Sequence, residues 1–233
     1  MRPASDVASR AWPDLVGESP TVVVPVGAVE QHGPHLPLDT DARIATEVVR
    51  RAAADAAVLA APAIAYGASG EHEGFPGTIS IGTDALHHLL VEFGRSAMRW
   101  AGRIVFVNAH GGNARPLADA VALLRYEGRD AAWFPCTFPS ADAHAGATET
   151  SVLLALSPDD VRTDLLAPGN TAPVAELLDE LRAGGVAAVA PSGVLGDPTA
   201  ASADTGRAHL DTLVARLRQS LLAWTVADDG RLR

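Results

Sequence analysis

The sequence predicts an α/β protein, a three-layer α/β/α sandwich on a mainly parallel central sheet, and three observations lead there. Short β-branched runs alternate with stretches in which apolar residues recur at helical spacing. The runs themselves, Val22-Val23-Val24-Pro25-Val26 and Ile104-Val105-Phe106-Val107, are continuously apolar, as in strands buried on both faces. The chain has 233 residues, 48% hydrophobic and 20% charged, enough for one domain over 1–233 with a large core.

In chain order, residues 1–20 carry Pro3, Pro13, Gly17 and Pro20 without a period and read as a lead-in with one helical turn. A strand over 21–26 follows. A helix over 41–54 comes next, with Asp39 or Thr40 as its cap and Ile44, Val48 and Val49 on one side. Residues 57–65 read as a second buried strand, and 66–78 as a Gly-rich loop too polar for a mere linker. Thr83 is expected to cap a helix carrying Leu86, Leu89, Leu90, Phe93, Ala97 and Trp100, with Gly102 as its stop. A strand over 104–107, a loop over 108–113 and a helix from Asn113, its cap, to Tyr126 come next, closed by Gly128. The fourth strand is 131–134, and a loop then leads to 144–151 and an apolar helix over 152–156. Beyond Pro158 the pattern gives a helix at about 174–183, a short apolar run at 186–190 and a terminal helix at about 202–224.

In parallel sheets, sites lie beyond the carboxyl ends of the strands. The loops that start at Gly27, Tyr66, Asn108 and Pro135 all hold that position. Glu30 and His32, two apart on an extended chain, project to the same side, and Asp41 returns nine residues later. An imidazole between two carboxylates in a Gly- and Pro-rich loop makes a divalent-metal site. Five of the eight histidines, His32, His35, His72, His110 and His144, fall in these loops, whereas His87, His88 and His209 lie in helical patterns. His110, before Gly-Gly-Asn, suits a metal ligand or an anion-binding loop. Glu149, at a helix start, suits a cap or a ligand.

Absences narrow the chemistry. All 18 basic residues are arginine, which removes a Walker A lysine, a Schiff-base lysine and a Ser-x-x-Lys pair. There is no Gly-x-Ser-x-Gly elbow and no Gly-x-Gly-x-x-Gly fingerprint. Cys136 stands alone, so neither a disulfide nor a thiolate-rich zinc site is available; it has a nucleophile's loop position, but lone cysteines commonly serve as small apolar filler. A net charge of −10 without a basic patch argues against nucleic acid as a partner. No apolar run reaches membrane-spanning length, so no membrane partner and a cytoplasmic location are expected. Metal-assisted hydrolysis survives these eliminations.

Five blocks carry a resemblance: Glu30-Gln31-His32-Gly33-Pro34-His35, Asp41, Phe75-Pro76-Gly77-Thr78, Asn108-Ala109-His110-Gly111-Gly112-Asn113 and Glu149-Thr150-Ser151. In this order they resemble the signature set of the creatininase family, across about 30 to 200 of the chain. The resemblance implies an α/β/α sandwich, a homo-oligomer and two divalent metal ions per subunit, zinc, manganese or iron. Glu30 and His110 would hold one ion, His32 the other, and Asp41 would bridge. Creatininase itself has Tyr and Glu where this chain has Gly111 and Gly112, and the resemblance to family members that also carry His-Gly-Gly-Asn makes Glu149 the candidate fifth ligand. It also has a tryptophan where this chain has Ser140, so creatinine is not the expected substrate.

Residues 36–41, 63–72 and 193–198 resemble more closely the peptidase branch of that family, which acts in mycofactocin biosynthesis. That branch implies a modified ribosomal precursor peptide as substrate. Its decarboxylated, cross-linked C-terminal Val-Tyr pair would be released by attack of a metal-bridging hydroxide on the amide. On this reading His144 is the proton donor to the leaving amine and Glu71 a second catalytic group. Ser69, His72, Gly111 and Gly112 bind substrate, and His35 orients a ligand from behind. Two alternatives stand beside it: an amidohydrolase of a cyclic amide or formamide, and a metal-binding protein without turnover.

Overall fold

The structure, a computed structural model, describes residues 6–54, 58–138 and 141–233. Four strands, β1 (Thr21–Val26), β2 (Val58–Ala60), β3 (Arg103–Asn108) and β4 (Ala131–Pro135), form one sheet in the order β2-β1-β3-β4, every pair parallel. Helices α1 (Thr40–Ala53), α4 (Ala147–Leu156) and α6 (Ala203–Ala223) cover one face, and α2 (Thr83–Ala97) and α3 (Ala114–Tyr126) the other. A sixth helix, α5 (Val174–Val189), stands apart. The result is the expected α/β/α sandwich. Alternate residues of β1 divide between the layers: Val23 joins Ile44, Val48 and Leu213, while Val22, Val24 and Val26 join Leu86, Leu90 and Leu117.

The chain leaves β1 for β2 on one side and then crosses back to β3 on the other. The crevice between the ends of β1 and β3 is therefore the topological switch point, where a parallel sheet leaves room for a ligand.

Several local expectations are corrected. The strand expected over 57–65 shrinks to Val58–Ala60, with one further bridge at Ile64; Ala57 lies outside the described residues. Pro62 in the run and Pro25 in β1 both lack the N–H that a longer ladder needs. Asp39 does not cap α1 with its side chain but accepts from Arg43 Nε at 2.7 Å, and Thr40 Oγ1 donates to the Pro37 carbonyl. Thr83 is the first residue of α2, behind Gly82, and α2 ends at Ala97, ahead of Gly102. The run over 186–190 is not separate: α5 carries it past a kink at Gly185 (φ 66°).

Asn113 is the most instructive correction. It precedes α3 but makes no cap; its Nδ2 donates to Gly27 O (3.0 Å) and Asn108 Oδ1 (3.1 Å), and its Oδ1 accepts from Ala68 N (2.9 Å). One fully buried amide thus clasps the loops after β1, β2 and β3. Asn113→Ala orphans two buried backbone groups and is expected to cost about 3 kcal/mol, read as a lower urea midpoint at unchanged m-value. An unchanged midpoint removes the clasp.

Candidate metal centre

Glu30 and His32 leave β1, His110 leaves β3, Asp41 lies in the first turn of α1, and Glu149 in the first turn of α4. Asp41 sits between the two histidines. Its Oδ1 is 3.2 Å from His32 Nε2 and its Oδ2 is 3.3 Å from His110 Nδ1. Glu30 Oε1 lies 3.2 Å from His110 Nδ1, and Glu149 Oε2 lies 4.0 Å from His32 Nε2. The donors divide into two groups on either side of Asp41: Glu30, Asp41 and His110, and then His32, His144 and Glu149. A third grouping, Glu30, His72 and His144, shares members with both.

Backbone carbonyls set which ring nitrogen faces inward. His110 Nε2 donates to Ala68 O at 3.0 Å, and His32 Nδ1 donates to Glu30 O at 3.1 Å. Each ring therefore turns its other nitrogen toward the carboxylates, an orientation that metal-binding histidines share. Burial opposes charge on both rings, yet Asp41 drives His32 up to about 10, and Asp41 with Glu30 raises His110. Burial likewise pushes Glu149 up to about 7, whereas His32 and His110 pull Asp41 down against its burial.

The donor set fits divalent cations. Glu30 Oε1 and Oε2 and Asp41 Oδ2 are buried without an oriented hydrogen-bond donor, a costly arrangement unless a cation supplies the charge. Mixed imidazole and carboxylate ligands are accepted by zinc, manganese and iron alike.

His144 and His72 are held differently, by Gln31. Gln31 Oε1 accepts from Gly33 N at 2.9 Å and its Nε2 donates to Gly193 O at 3.1 Å, which fixes the amide's orientation. His144 Nε2 donates to Gln31 O at 2.7 Å, leaving Nδ1 as its open nitrogen, 3.8 Å from Glu30 Oε1. The remaining Gln31 hydrogen goes to His72 Nδ1 at 2.9 Å, so His72 carries its own hydrogen on Nε2, which lies 3.4 Å from Glu30 Oε1 without making a hydrogen bond to it. Burial holds His72 down near about 4 and His144 well below its ordinary value, so both rings are neutral. His144 therefore offers an acceptor at Nδ1. Gln31→Leu orphans the buried His72 Nδ1 and Gly193 carbonyl and is expected to cost about 2–3 kcal/mol of stability, read as a lower urea midpoint. An unchanged midpoint detaches Gln31 from this network.

Other expected residues fall as follows. Glu71, His72, Gly111 and Gly112 line an open cleft of about 570 Å³. Burial raises the Glu71 carboxyl, whose Oε1 is 3.7 Å from His110 Nε2. A Cβ on Gly112 would lie 2.2 Å from Ala68 O and 2.5 Å from His110 Nε2, so the ring's seat requires glycine there. Ser69 departs from its expected substrate contact: it is fully buried behind His110, its Oγ 3.4 Å from Nε2. The His35 ring pairs with Thr150 Oγ1 at 2.9 Å and so steadies α4 beside Glu149. Cys136 borders a second, tighter cavity of about 220 Å³, and burial pushes its thiol up to about 12, which suits filler rather than nucleophile. Ser140 lies outside the described residues.

Two features had no legible signal. Asp142 accepts from Ala147 N (2.8 Å) and Thr148 N (3.1 Å), capping α4 from outside the usual cap position. Burial opposes its charge, but those N–H groups pull its carboxyl below the ordinary value. Ala145, between His144 and α4, sits at φ 52°, a strained conformation for alanine, with its N–H donating to Glu149 Oε2 at 2.7 Å.

The profile of a family described as "Creatininase: Creatinine amidohydrolase" matches residues 7–221. A protein of Mycolicibacterium smegmatis named mycofactocin precursor peptide peptidase is 61% identical over 219 residues, 91% of this chain and 89% of the relative. Its namesake in Mycobacterium tuberculosis H37Rv is 56% identical over 237 residues, 97% and 94% of the two chains. Among solved structures, one titled "Creatininase Mn" superposes with a TM-score of 0.80 at 26% identity, over 95% of this chain and 98% of its own. A creatininase variant described as "Zn-Zn type" gives 0.81 at 26% identity over the same shares.

Proposed function

Because the chain belongs to the creatininase family, we propose that it is a metal-dependent peptidase of the mycofactocin precursor peptide. It hydrolyses the amide that joins the modified C-terminal Val-Tyr pair to the rest of the peptide, giving a carboxylate on the remaining chain and a free amine on the released pair. The observation that carries the reading is Asp41, which turns one oxygen to each of two histidines between two further carboxylates. Glu30, Asp41 and His110 would hold one divalent ion and His32, Asp41 and Glu149 a second; the manganese and zinc forms of creatininase support the choice of metals. When bound, such ions polarise a carbonyl and lower the pKa of a water from about 15.7 toward 7.

The chain's own groups do the proton work. His144 takes a proton at Nδ1 as water adds to the amide and returns it to the leaving nitrogen, its ring steadied through Nε2–H on the Gln31 carbonyl. Glu71 lines the open cleft with its carboxyl raised by burial, which supports it as a relay for a proton there. Gly111, exposed beside His110, lets the substrate backbone approach closely. The exposed Trp12 and Val16 share a groove with Leu15 and Trp100, an apolar surface that association would cover, which supports a homo-oligomer.

The test is mass spectrometry of the radical-enzyme-modified precursor peptide after incubation with the protein. Loss of the modified pair, stopped by chelator and restored by divalent metal, is expected. An intact peptide with metal verified in the protein would redirect the assignment to a small cyclic amide or formamide.

A further inference from the structure

We propose that the first half of α5 is the specificity wall of this centre: the open cleft beneath it seats the bulky, apolar, uncharged terminal pair of the peptide. The inference rests on the peptidase reading. Helix α5 is not built like a core helix, for of its 16 residues only Val186 is buried. Val174, Leu178 and Leu181 nevertheless share one face at spacings of four and three, while Glu176, Asp179 and Glu180 lie opposite. Val174 and Leu178 keep 38% and 40% of their surface exposed, and with Leu181 they line the open cleft.

That face is fastened over the centre. At the kink, a Cβ on Gly185 would lie 2.6 Å from Glu71 O, so only glycine lets α5 sit against the segment that carries Glu71 and His72. The floor of the cleft is His110, Gly111, Gly112 and His144, so what fills it lies against the reacting groups. The tighter cavity shares His110, Gly111, Ala143 and His144 with it and is lined further on by Glu30, Asp41 and Glu149, so it is where the ions would sit. A scissile amide at the shared residues thus has the ion cavity of about 220 Å³ on one side and the larger apolar cleft of about 570 Å³ on the other. The larger and apolar side suits two hydrophobic residues. Arg182, the single arginine on its lining, is three-quarters exposed and lies 3.7 Å from Asp179, so it marks the solvent rim of the apolar wall.

The experiment compares wild type with Leu178→Ala on the modified peptide, with valyl-tyramine, an uncrosslinked stand-in for the released pair, as inhibitor. We expect KM to rise about tenfold with kcat within about twofold, and valyl-tyramine to inhibit the variant about tenfold more weakly. Bound metal and oligomeric state stay unchanged. Equal KM and equal inhibition overturn the inference, as does a variant that changes oligomeric state, which assigns the face to a second copy. If wild type leaves the peptide intact, the peptidase reading fails by itself. Calorimetric binding of valyl-tyramine to both proteins then decides the cleft alone, with Leu178-dependent binding supporting it and equal or absent binding overturning it.

Discussion

Replacing Asp41 by asparagine is expected to strip bound divalent metal from the purified protein and to lower peptide hydrolysis about a thousandfold. That factor corresponds to roughly 4 kcal/mol of barrier, the scale on which a Lewis acid stabilises developing charge. The reason is geometric. Asp41 is the residue with one oxygen near each histidine of the centre, at 3.2 and 3.3 Å, and an amide keeps its size while losing its charge and one of its two acceptors. The comparison that gives the result meaning is His144→Ala, which should keep its metal and lose rate, since His144 serves proton transfer in this scheme. Elemental analysis and the peptide assay on the same preparations decide it. Full metal content in Asp41→Asn would remove the bridging role.

The second large effect concerns stability. Gly206 lies in the first turns of α6, where it crosses α4, and a Cβ there would meet Ser151 O at 1.8 Å and Ser151 C at 2.4 Å. Helix propensity alone favours Gly206→Ala by about 1 kcal/mol. The clash is with backbone on a buried helix, so no side-chain rotation relieves it, and overpacking costs of 1–3 kcal/mol or more prevail. A net loss of about 2 kcal/mol is expected, a fall in Tm of about 4–8 °C for a chain of this size. Because α4 carries Glu149, metal affinity should fall with it. A Tm at or above wild type would show that the helices separate freely.

The sandwich was readable because its strands are β-branched runs and its helices repeat apolar residues at the right period. The strand over 131–134 and the helix from 40 were legible to within a residue. The candidate ligands were legible as residue types in loops that parallel topology gathers together. What escaped was everything set by contacts distant in sequence. Gln31 reads as a polar neighbour of Glu30 and His32, yet its amide reaches His72 and Gly193. Asn113 reads as a cap, and the pull of three loops outweighs the one N–H that a cap would satisfy. Ser69 reads as a substrate contact because it stands in a Gly-rich loop, but the fold turns it behind His110. Asp142 gives no cap signal because it lies five residues ahead of the first N–H that it satisfies.

The candidate ligands sit at positions 30, 32, 41, 110 and 149, drawn from the ends of two strands and the first turns of two helices. In the unfolded chain only Glu30 and His32, and at a stretch Asp41, stay within reach of one ion. A cation that the native state grips with the full set therefore has little affinity for the denatured chain, and mass action turns nearly all of its binding into fold stability. At a free concentration about a thousand times its Kd, the gain is about 4 kcal/mol. The melting temperature of this protein thus becomes a gauge of metal supply, and a chelator acts on it as a mild denaturant.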